Sequence, residues 1–276
     1  MVARLVEAGH EVSVLGRSDE KCSAIAELGA NPVADLAAVS AHADAVVVCV
    51  FTDGQVRQVC LDDGLIAAMP AGSALVLHTT GSPRTVESIA VRAASHDVEV
   101  VDAPVSGGPH NAASGALTLF VGGADDTVAR VRPVLSCYGD PVLHVGPLGT
   151  GQKVKLVNNA LFAAHIGLLS GSVELGARLG VPESALLSAL PHGSAASRVL
   201  DIVAAGGSVA SFIETAGEFV GKDVAVIRGI AAELGSDLGV LDDVIDAAMP
   251  GCDEVFSTRH EASTVSVTVK HSVVKM

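Results

Sequence analysis

The chain has no tryptophan, and aromatic residues make up only 3% of its 276 residues. Aromatic side chains are the platforms on which bases stack in many single-strand nucleic-acid binders. Basic residues are also scarce: 17 Lys and Arg stand against 31 Asp and Glu, a net charge of −14. Because phosphate backbones are bound largely by clustered positive charge, we expect no nucleic-acid partner.

Cysteine is equally sparse. The five cysteines are odd in number, dispersed and without a Cys-x-x-Cys pair, which favours reduced thiols over a disulfide framework or a zinc site. The spacings of the histidines match no metal-ligand pattern. No signal peptide is recognisable at the start of the sequence. We therefore expect a cytoplasmic protein without a metal.

Long apolar runs are absent as well. Mean hydropathy is +0.50, but Ala and Val are spread along the whole chain, and the most apolar stretch, 160–169, is short and contains His165. A membrane span needs about 20 consecutive apolar residues. With 49% hydrophobic and 17% charged residues, the composition predicts a soluble globular protein with no membrane partner.

Residues 1–148 alternate between helix-like and strand-like segments. A strand is predicted at 11–15, and the continuous apolar run at 45–51 is typical of a buried parallel strand. The alternation predicts an α/β, doubly wound, Rossmann-like N-terminal domain over 1–148. Further strands are predicted at 73–78, 98–101, 117–121 and 142–145.

From residue 149 the pattern becomes helical, which predicts an all-α second domain over 149–276 that opens with the interdomain helix. Residues 265–269 are the exception, because Val alternates there with Ser and Thr as in an edge strand. Helices are predicted at 155–179, 183–190, 194–205 and 221–234.

The usual opening of a dinucleotide-binding domain is not visible. Such a domain begins with a strand, a G-x-G-x-x-G turn and a helix whose N-terminus holds the pyrophosphate. Here Met1 already lies in what resembles that first helix, and Gly9 stands at its far end. We expect that the first strand and the glycine loop are missing, with a mis-chosen start codon as the preferred explanation.

The segment of most chemical interest is a glycine-rich loop, 146–151, that runs into a long apolar helix. Lys155 and Asn159 are four residues apart and share a helix face. An ammonium and an amide that converge can hold a hydroxyl or carbonyl oxygen. A lysine this early in a helix opposes the macrodipole, which suggests function, although spacing alone explains Lys155 equally well as a surface lysine.

A second segment, Ser106-Gly107-Gly108, places a hydroxyl beside two backbone N–H groups that no side chain blocks. Such a nest suits a carboxylate. A plain turn between strands is the alternative interpretation.

Together these motifs resemble the β-hydroxyacid dehydrogenase family, which includes 3-hydroxyisobutyrate dehydrogenases. The pattern Gly146-x-x-Gly149-x-Gly151-x-x-x-Lys155-x-x-x-Asn159 matches the family's catalytic signature at every spaced position. The resemblance extends over roughly residues 1–247. Other landmarks occur in the family's order: Asp102 to Gly108, Ala8-Gly9-His10-Glu11-Val12, Thr79-Thr80-x-x-Pro83 and Lys222-Asp223.

The resemblance implies an NAD(P)-dependent oxidoreductase that interconverts a small β-hydroxyacid and its semialdehyde by hydride transfer. Lys155 would be the acid/base group, and Asn159 would orient the substrate or the lysine. The substrate carboxylate would bind at Ser106, Gly107 and Gly108. The resemblance also implies a homodimer or higher oligomer in which helical domains pack together.

Cofactor contacts are implied too. Arg17 and Ser18 follow the strand at 11–15, where the fold presents the adenosine ribose, and an arginine there can receive the 2′-phosphate of NADP. NADP is thus preferred over NAD, with an exposed turn arginine as the alternative. Lys222 would close over cofactor and substrate, unless it is a solvated lysine paired with Asp223. Further contacts are implied for Val50, Phe51, Gln55 and Thr80.

Two other functions stay open. Imine reductases look similar but usually carry a different residue in place of the lysine, so Lys155 argues against that activity. A truncated, non-catalytic protein that only dimerises would follow from the missing glycine loop.

Overall fold

The computed structural model describes residues 1–248 and 265–270 and divides the chain into two compact units. The first unit contains Met1–Lys155 and the strand near the C-terminus, and the second lies within Leu156–His260. The remaining part of the predicted tail, 249–264 and 271–276, lies outside the described residues.

The first unit alternates strands with helices, as the sequence predicts. Its strands are β1 (Glu11–Leu15), β2 (Asn31–Val33), β3 (Ala45–Cys49), β4 (Ala74–Leu77), β5 (Glu99–Asp102), β6 (Val105–Ser106), β7 (Leu117–Gly122), β8 (Gly139–Gly146) and β9 (Val265–Lys270). Its helices are α1 (Val2–Glu7), α2 (Asp19–Glu27), α3 (Leu36–Ser40), α4 (Asp53–Arg57), α5 (Leu65–Ala68), α6 (Pro83–Ala94), α7 (Pro109–Ser114) and α8 (Asp125–Leu135).

These strands form one nine-stranded sheet in the order β2-β1-β9-β3-β4-β5-β7-β6, with β8 paired to β7. Strands β1 and β2 are parallel, as are β3, β4 and β5. The sheet is buried on both faces because alternate residues enter two cores: Val47 and Val76 join one, whereas Val46 and Leu75 join the other. The predicted Rossmann-like class is confirmed.

The strand predicted near the C-terminus is present, but its predicted edge position is wrong. Strand β9 lies inside the sheet, antiparallel to both of its neighbours: Val267 pairs with Val14 of β1 and with Val47 of β3. In a dinucleotide-binding sheet of order 3-2-1-4-5-6, the first strand stands between the second and the fourth. Strand β9 fills that position, although the predicted second domain, 149–276, includes it.

Backbone hydrogen bonding explains why a strand occupies the position between β1 and β3. Without β9, β1 and β3 would each leave a row of backbone N–H and C=O groups unpaired in the middle of a buried sheet. A segment of alternating β-branched residues satisfies both rows.

The second unit is helical over its described residues, as predicted. Its core gathers buried aliphatic side chains, with Ile166, Val203 and Ile245 at its centre. The helices are α9 (Thr150–Arg178), which begins in the first unit, α10 (Glu183–Ala189), α11 (Arg198–Gly206), α12 (Val209–Glu233) and α13 (Val240–Ala248), with a 3-10 turn at Leu190–His192.

Helix α9 is long and apolar, as predicted, but it begins at Thr150 and not at residue 155. Its 29 residues are long and apolar enough to cross a membrane, judged by length and composition alone. Its most apolar 18-residue stretch has a mean hydropathy of 1.4, and 39% of that stretch is buried inside the protein. The bent pair Arg198–Gly206 and Val209–Gly217 meets the same criteria together. Core helices of water-soluble proteins also meet them, so this finding alone favours neither environment.

Candidate active site

Lys155 lies on the second turn of α9 and is only 9% exposed, whereas Lys153, two residues earlier, is exposed. A buried ammonium costs free energy unless its surroundings stabilise it. The contrast separates the two lysines, and the surface-lysine interpretation fits Lys153 but not Lys155.

Asn159 lies further along α9, in the second unit, where it takes part in a polar cluster. Its Nδ2 donates to Asp223 Oδ2 at 2.5 Å, and Asp223 Oδ1 is 2.6 Å from Lys222 Nζ. The Lys222 side chain is 16% exposed, so it is paired with Asp223 but is not a solvated lysine. The predicted residues Asn159 and Lys222 are thus joined through Asp223, which the sequence alone predicts only as a partner of Lys222.

Two buried polar residues that are not among the predicted site residues, Asp102 and Gln152, hold the loop that leads into α9. The carboxylate of Asp102, fully buried at the end of β5, accepts N–H bonds from Gly149 at 2.6 Å and Gln152 at 2.7 Å. The Gln152 side chain accepts from the Gly81 N–H at 3.0 Å and donates to the Thr79 carbonyl at 2.8 Å. The start of α9 is thereby tied to the loops that follow β4 and β5.

The predicted carboxylate grip is only partly available. Gly107 adopts φ +119, where a side chain would be strained and its Cβ would meet Asn111 at 3.0 Å. The Gly108 N–H is not free, because it donates to Asn111 Oδ1 at 3.1 Å. Ser106 is half-buried on β6. The expectation of two unoccupied N–H groups is therefore wrong for Gly108, whose N–H is accepted by the Asn111 side chain at the start of α7.

The loops after β3 and β4, where cofactor contacts are predicted, are joined by hydrogen bonds. The Thr79 hydroxyl accepts from the Val50 N–H at 2.9 Å and donates to the Val50 carbonyl at 2.8 Å. Gln55 Oε1 accepts from the N–H groups of Phe51 and the next residue, at 2.9 and 3.0 Å. Thr80, 9% exposed, follows Thr79. Val50, Phe51 and Gln55 thus fix the loop's own conformation, and their contact with a cofactor stays a prediction.

At the end of β1, Arg17 is exposed and Ser18 caps α2, accepting from the Lys21 N–H at 3.3 Å. A Cβ at Gly16 would lie 2.5 Å from Cys22 Sγ, so a side chain at position 16 would require the Cys22 side chain to move. An exposed guanidinium directly after a parallel strand is well placed for a phosphate.

His78 is a structural residue. It is fully buried, with Nδ1 2.5 Å from the Ala103 carbonyl and Nε2 2.9 Å from the Tyr138 hydroxyl. Burial lowers the pKa of His78 to about 4, so the ring is neutral at pH 7 and the Tyr138 hydroxyl donates to Nε2. Among residues 1–248 and 265–270, no group of three or more His, Cys, Asp or Glu is placed to hold a metal.

These residues fit a dinucleotide at two places. The turn after β1 offers Arg17 for an adenosine phosphate, and the loop after β4 brings Thr80 next to the first turn of α9. The pyrophosphate of a dinucleotide is not accommodated in the same way, because β9 occupies the place of the first strand in the sheet. A G-x-G-x-x-G turn follows the carboxyl end of its strand, whereas the carboxyl end of β9, Lys270, pairs with Glu11 at the start of β1. A turn that follows β9 therefore lies at the edge of the sheet where β1 begins. It does not lie at the opposite edge, where β1 and β3 end and the cofactor is predicted to bind.

Family models match both parts of the chain. Residues 1–146 match the NAD binding domain of 6-phosphogluconate dehydrogenase, and residues 149–253 match the NAD-binding domain of NADP-dependent 3-hydroxyisobutyrate dehydrogenase. The chain belongs to the β-hydroxyacid dehydrogenase family of NAD(P)-dependent oxidoreductases, with NADP or NAD as cofactor.

Individual relatives agree. The 3-hydroxyisobutyrate dehydrogenase of Pseudomonas aeruginosa is 33% identical over 204 residues, 73% of this chain and 68% of the relative. The 2-(hydroxymethyl)glutarate dehydrogenase of Eubacterium barkeri is 32% identical over 186 residues, 67% of this chain and 62% of the relative.

Among solved structures, Mycobacterium tuberculosis 3-hydroxyisobutyrate dehydrogenase with L-serine superimposes with a TM-score of 0.79 at 25% identity, covering 90% of this chain and 87% of that one. A Streptomyces aurantiacus imine reductase gives 0.63 at 20% identity, covering 91% and 89%. At that identity the imine reductase shares the fold, which says nothing about activity.

Proposed function

We propose that this chain interconverts a small β-hydroxyacid and its semialdehyde, with Lys155 as the acid/base group. The observation that carries the proposal is the burial of Lys155 on the signature helix, two residues after the exposed Lys153. A bound NADP or NAD would supply the hydride acceptor or donor at the carbinol carbon. The relatives named for 3-hydroxyisobutyrate and 2-(hydroxymethyl)glutarate support a hydroxyacid substrate.

The chemistry of the protein's own residues is proton transfer and charge stabilisation. In the oxidative direction the neutral Lys155 amine accepts the proton of the substrate hydroxyl as the carbinol C–H bond breaks. In reduction the ammonium returns that proton to the oxygen and stabilises its developing charge. Asn159 is held by Asp223, so its amide has a fixed orientation from which to direct a hydrogen bond.

The carboxylate grip is proposed on the Ser106 hydroxyl and the backbone at Gly107. Because Gly108 already donates to Asn111, we do not assign its N–H to the substrate. A matched pair of substrates tests the grip: 3-hydroxyisobutyrate and its methyl ester carry the same carbinol group. We expect kcat/KM to fall for the ester by about 10²-fold, from the loss of charge-assisted hydrogen bonds worth about 1.5–3 kcal/mol. Equal rates for both would reject a carboxylate site.

NADP is proposed over NAD because Arg17 is exposed two residues after the end of β1. Calorimetric titration of the 276-residue chain with NADPH and NADH tests this preference, and Arg17→Ala provides the variant. We expect NADPH to bind more tightly than NADH and the variant to abolish the difference. If neither cofactor binds at millimolar concentration, the non-catalytic alternative replaces the dehydrogenase proposal.

An imine reductase remains the competing activity, supported by fold likeness alone. A cyclic imine assayed with NADPH beside the semialdehyde separates the two. Turnover of the imine with none of the semialdehyde would favour the reductase. The lysine at position 155 leads us to expect the reverse.

We also propose that the second unit packs against a second copy through α9. Val157, Leu161, Leu168 and Leu175 are 65%, 47%, 56% and 50% exposed. Their spacings of four, seven and seven residues place them on one face of the helix. Light scattering after size-exclusion chromatography should show a dimer that Leu168→Glu dissociates. An unchanged mass for this variant would contradict a dimer through α9.

A further inference from the structure

We propose that Asp102 is a positioning residue: its carboxylate clamps the N-terminus of α9 and thereby fixes Lys155 for proton transfer. The inference rests on the function proposed for Lys155. It is drawn entirely within the first unit of the chain, which contains β5, the glycine-rich loop 146–151 and the first turns of α9.

The clamp uses both carboxylate oxygens. Oδ1 accepts from the Gly149 N–H at 2.6 Å, and Oδ2 accepts from the Gln152 N–H at 2.7 Å. The first N–H groups of a helix have no partner within the helix. Asp102 therefore caps α9 from a strand that lies 47 and 50 residues away in sequence, and it brings a negative charge to the positive end of the helix dipole.

Glycines keep the space that this clamp requires. A Cβ at Gly122 would lie 2.4 Å from Asp102 Oδ1. A Cβ at Gly151 would lie 2.8 Å from Asp102 Oδ2 and 2.3 Å from the Phe120 carbonyl oxygen. All three distances are too short for a carbon atom, so Gly151 of the signature is explained by the close approach of the Phe120 carbonyl and of Asp102 to the helix.

The same turn of α9 has a second link, to the loop after β4. Gln152 is 1% exposed, and its side-chain amide bonds the Thr79 carbonyl and the Gly81 N–H on either side of Thr80. Lys155 follows Gln152 by three residues, or about 4.5 Å of helix rise. A shift of the first turn would therefore displace the lysine relative to the loop that is predicted to contact the cofactor.

A contribution to folding stability does not by itself explain a buried carboxylate at position 102. The carboxylate is 0% exposed, and burial raises the pKa of Asp102 despite the hydrogen bonds from Gly149 and Gln152. A buried carboxylate that backbone N–H groups satisfy costs more to desolvate than a neutral isostere. Its benefit is geometric, because two charge-assisted hydrogen bonds fix the helix end in one orientation.

The test compares Asp102→Asn with Asp126→Asn, which removes a carboxylate from the exposed first turn of α8. The first measurement is amide hydrogen exchange at Gly149 and Gln152 in the free protein. We expect Asp102→Asn to speed exchange at these two amides at least about tenfold, while amides of β3 and β4 keep their rates. The control variant should change neither set.

The second measurement is steady-state kinetics well below the melting temperature. Misplacement of a catalytic group by about 1 Å costs on the order of 10² in rate. We therefore expect kcat of Asp102→Asn to fall by about 10²-fold, with KM and the Kd for NADPH within about twofold of the parent. An unchanged kcat, or a loss of kcat explained by the unfolded fraction, would overturn the proposal.

Asp102→Ser serves as the second variant, and failure of both variants to fold would also overturn it, because Asp102 would then be required for folding. Lys155→Ala separates the two proposals. A parental rate in Lys155→Ala would reject the function of the lysine, whereas the exchange rates at Gly149 and Gln152 would still decide whether Asp102 fixes the helix end.

Discussion

Acidification should destabilise the first unit through His78. The ring is fully buried, and burial lowers its pKa to about 4 from an ordinary value of 6.5. A group whose folded-state pKa is depressed binds fewer protons in the folded state, so stability is lost as the pH falls from 6.5 towards 4. A difference of about 2.5 pKa units corresponds to about 3.4 kcal/mol in total.

Most of that loss of stability falls within a pH range that unfolding experiments can reach. Between pH 7.5 and pH 4.5, the linkage relation gives a decrease of about 2.5 kcal/mol for this one group. Other groups titrate in the same range, so the quantity to measure is the difference in unfolding free energy between the parent and His78→Gln. Urea unfolding at several pH values provides it.

The glutamine variant has no titrating ring, and it can still donate to the Ala103 carbonyl and accept from the Tyr138 hydroxyl. We expect the advantage of the parent over the variant to shrink by about 2.5 kcal/mol as the pH falls to 4.5. An advantage that does not depend on pH would refute a neutral buried histidine.

Two further predictions concern packing. Val267→Pro removes a ladder hydrogen bond between β9 and a neighbouring strand, so we expect a loss of about 1–3 kcal/mol in unfolding free energy. Val267→Ile should stay near the parent, and equal stability of the two variants would argue against β9 in the sheet. Gly151→Ala forces a Cβ to 2.3 Å from the Phe120 carbonyl and should cost about 1–3 kcal/mol. Gly171→Ala, in open space on the same helix, should cost nothing, and equal effects of both alanines would contradict this packing.

Local patterns predict most of the fold because the central parallel strands β3 and β4 are buried on both faces and so form continuous apolar runs. The apolar run from Ala45 marks β3, and the helical spacing after Thr150 marks α9. The sequence pattern predicts the start of this helix at residue 221, which is wrong, because α12 begins at Val209 after its Ser208 cap. Gly217 within the helix lowers the local propensity and hides the first turns.

Long-range contacts could not be read from spacing. The alternation of β9 predicts a strand, but its place between β1 and β3 depends on which backbone rows lack partners in the folded sheet. Asp102 offered one usable signal, since an acidic residue that ends a buried strand needs nearby donors. Nothing in the sequence identifies Gly149 and Gln152 as those donors, or Asn111 as the acceptor that occupies the Gly108 N–H.

The central claim is tested most directly by kcat for the NADP-linked oxidation of 3-hydroxyisobutyrate, measured for Lys155→Ala beside Lys153→Ala. Both variants remove one positive charge from the first turns of α9, but only Lys155 is buried. We predict that Lys155→Ala lowers kcat by about 10²–10⁴-fold, the range for loss of a general acid/base, while Lys153→Ala stays within about twofold of the parent. Equal rates for the two variants would contradict the account.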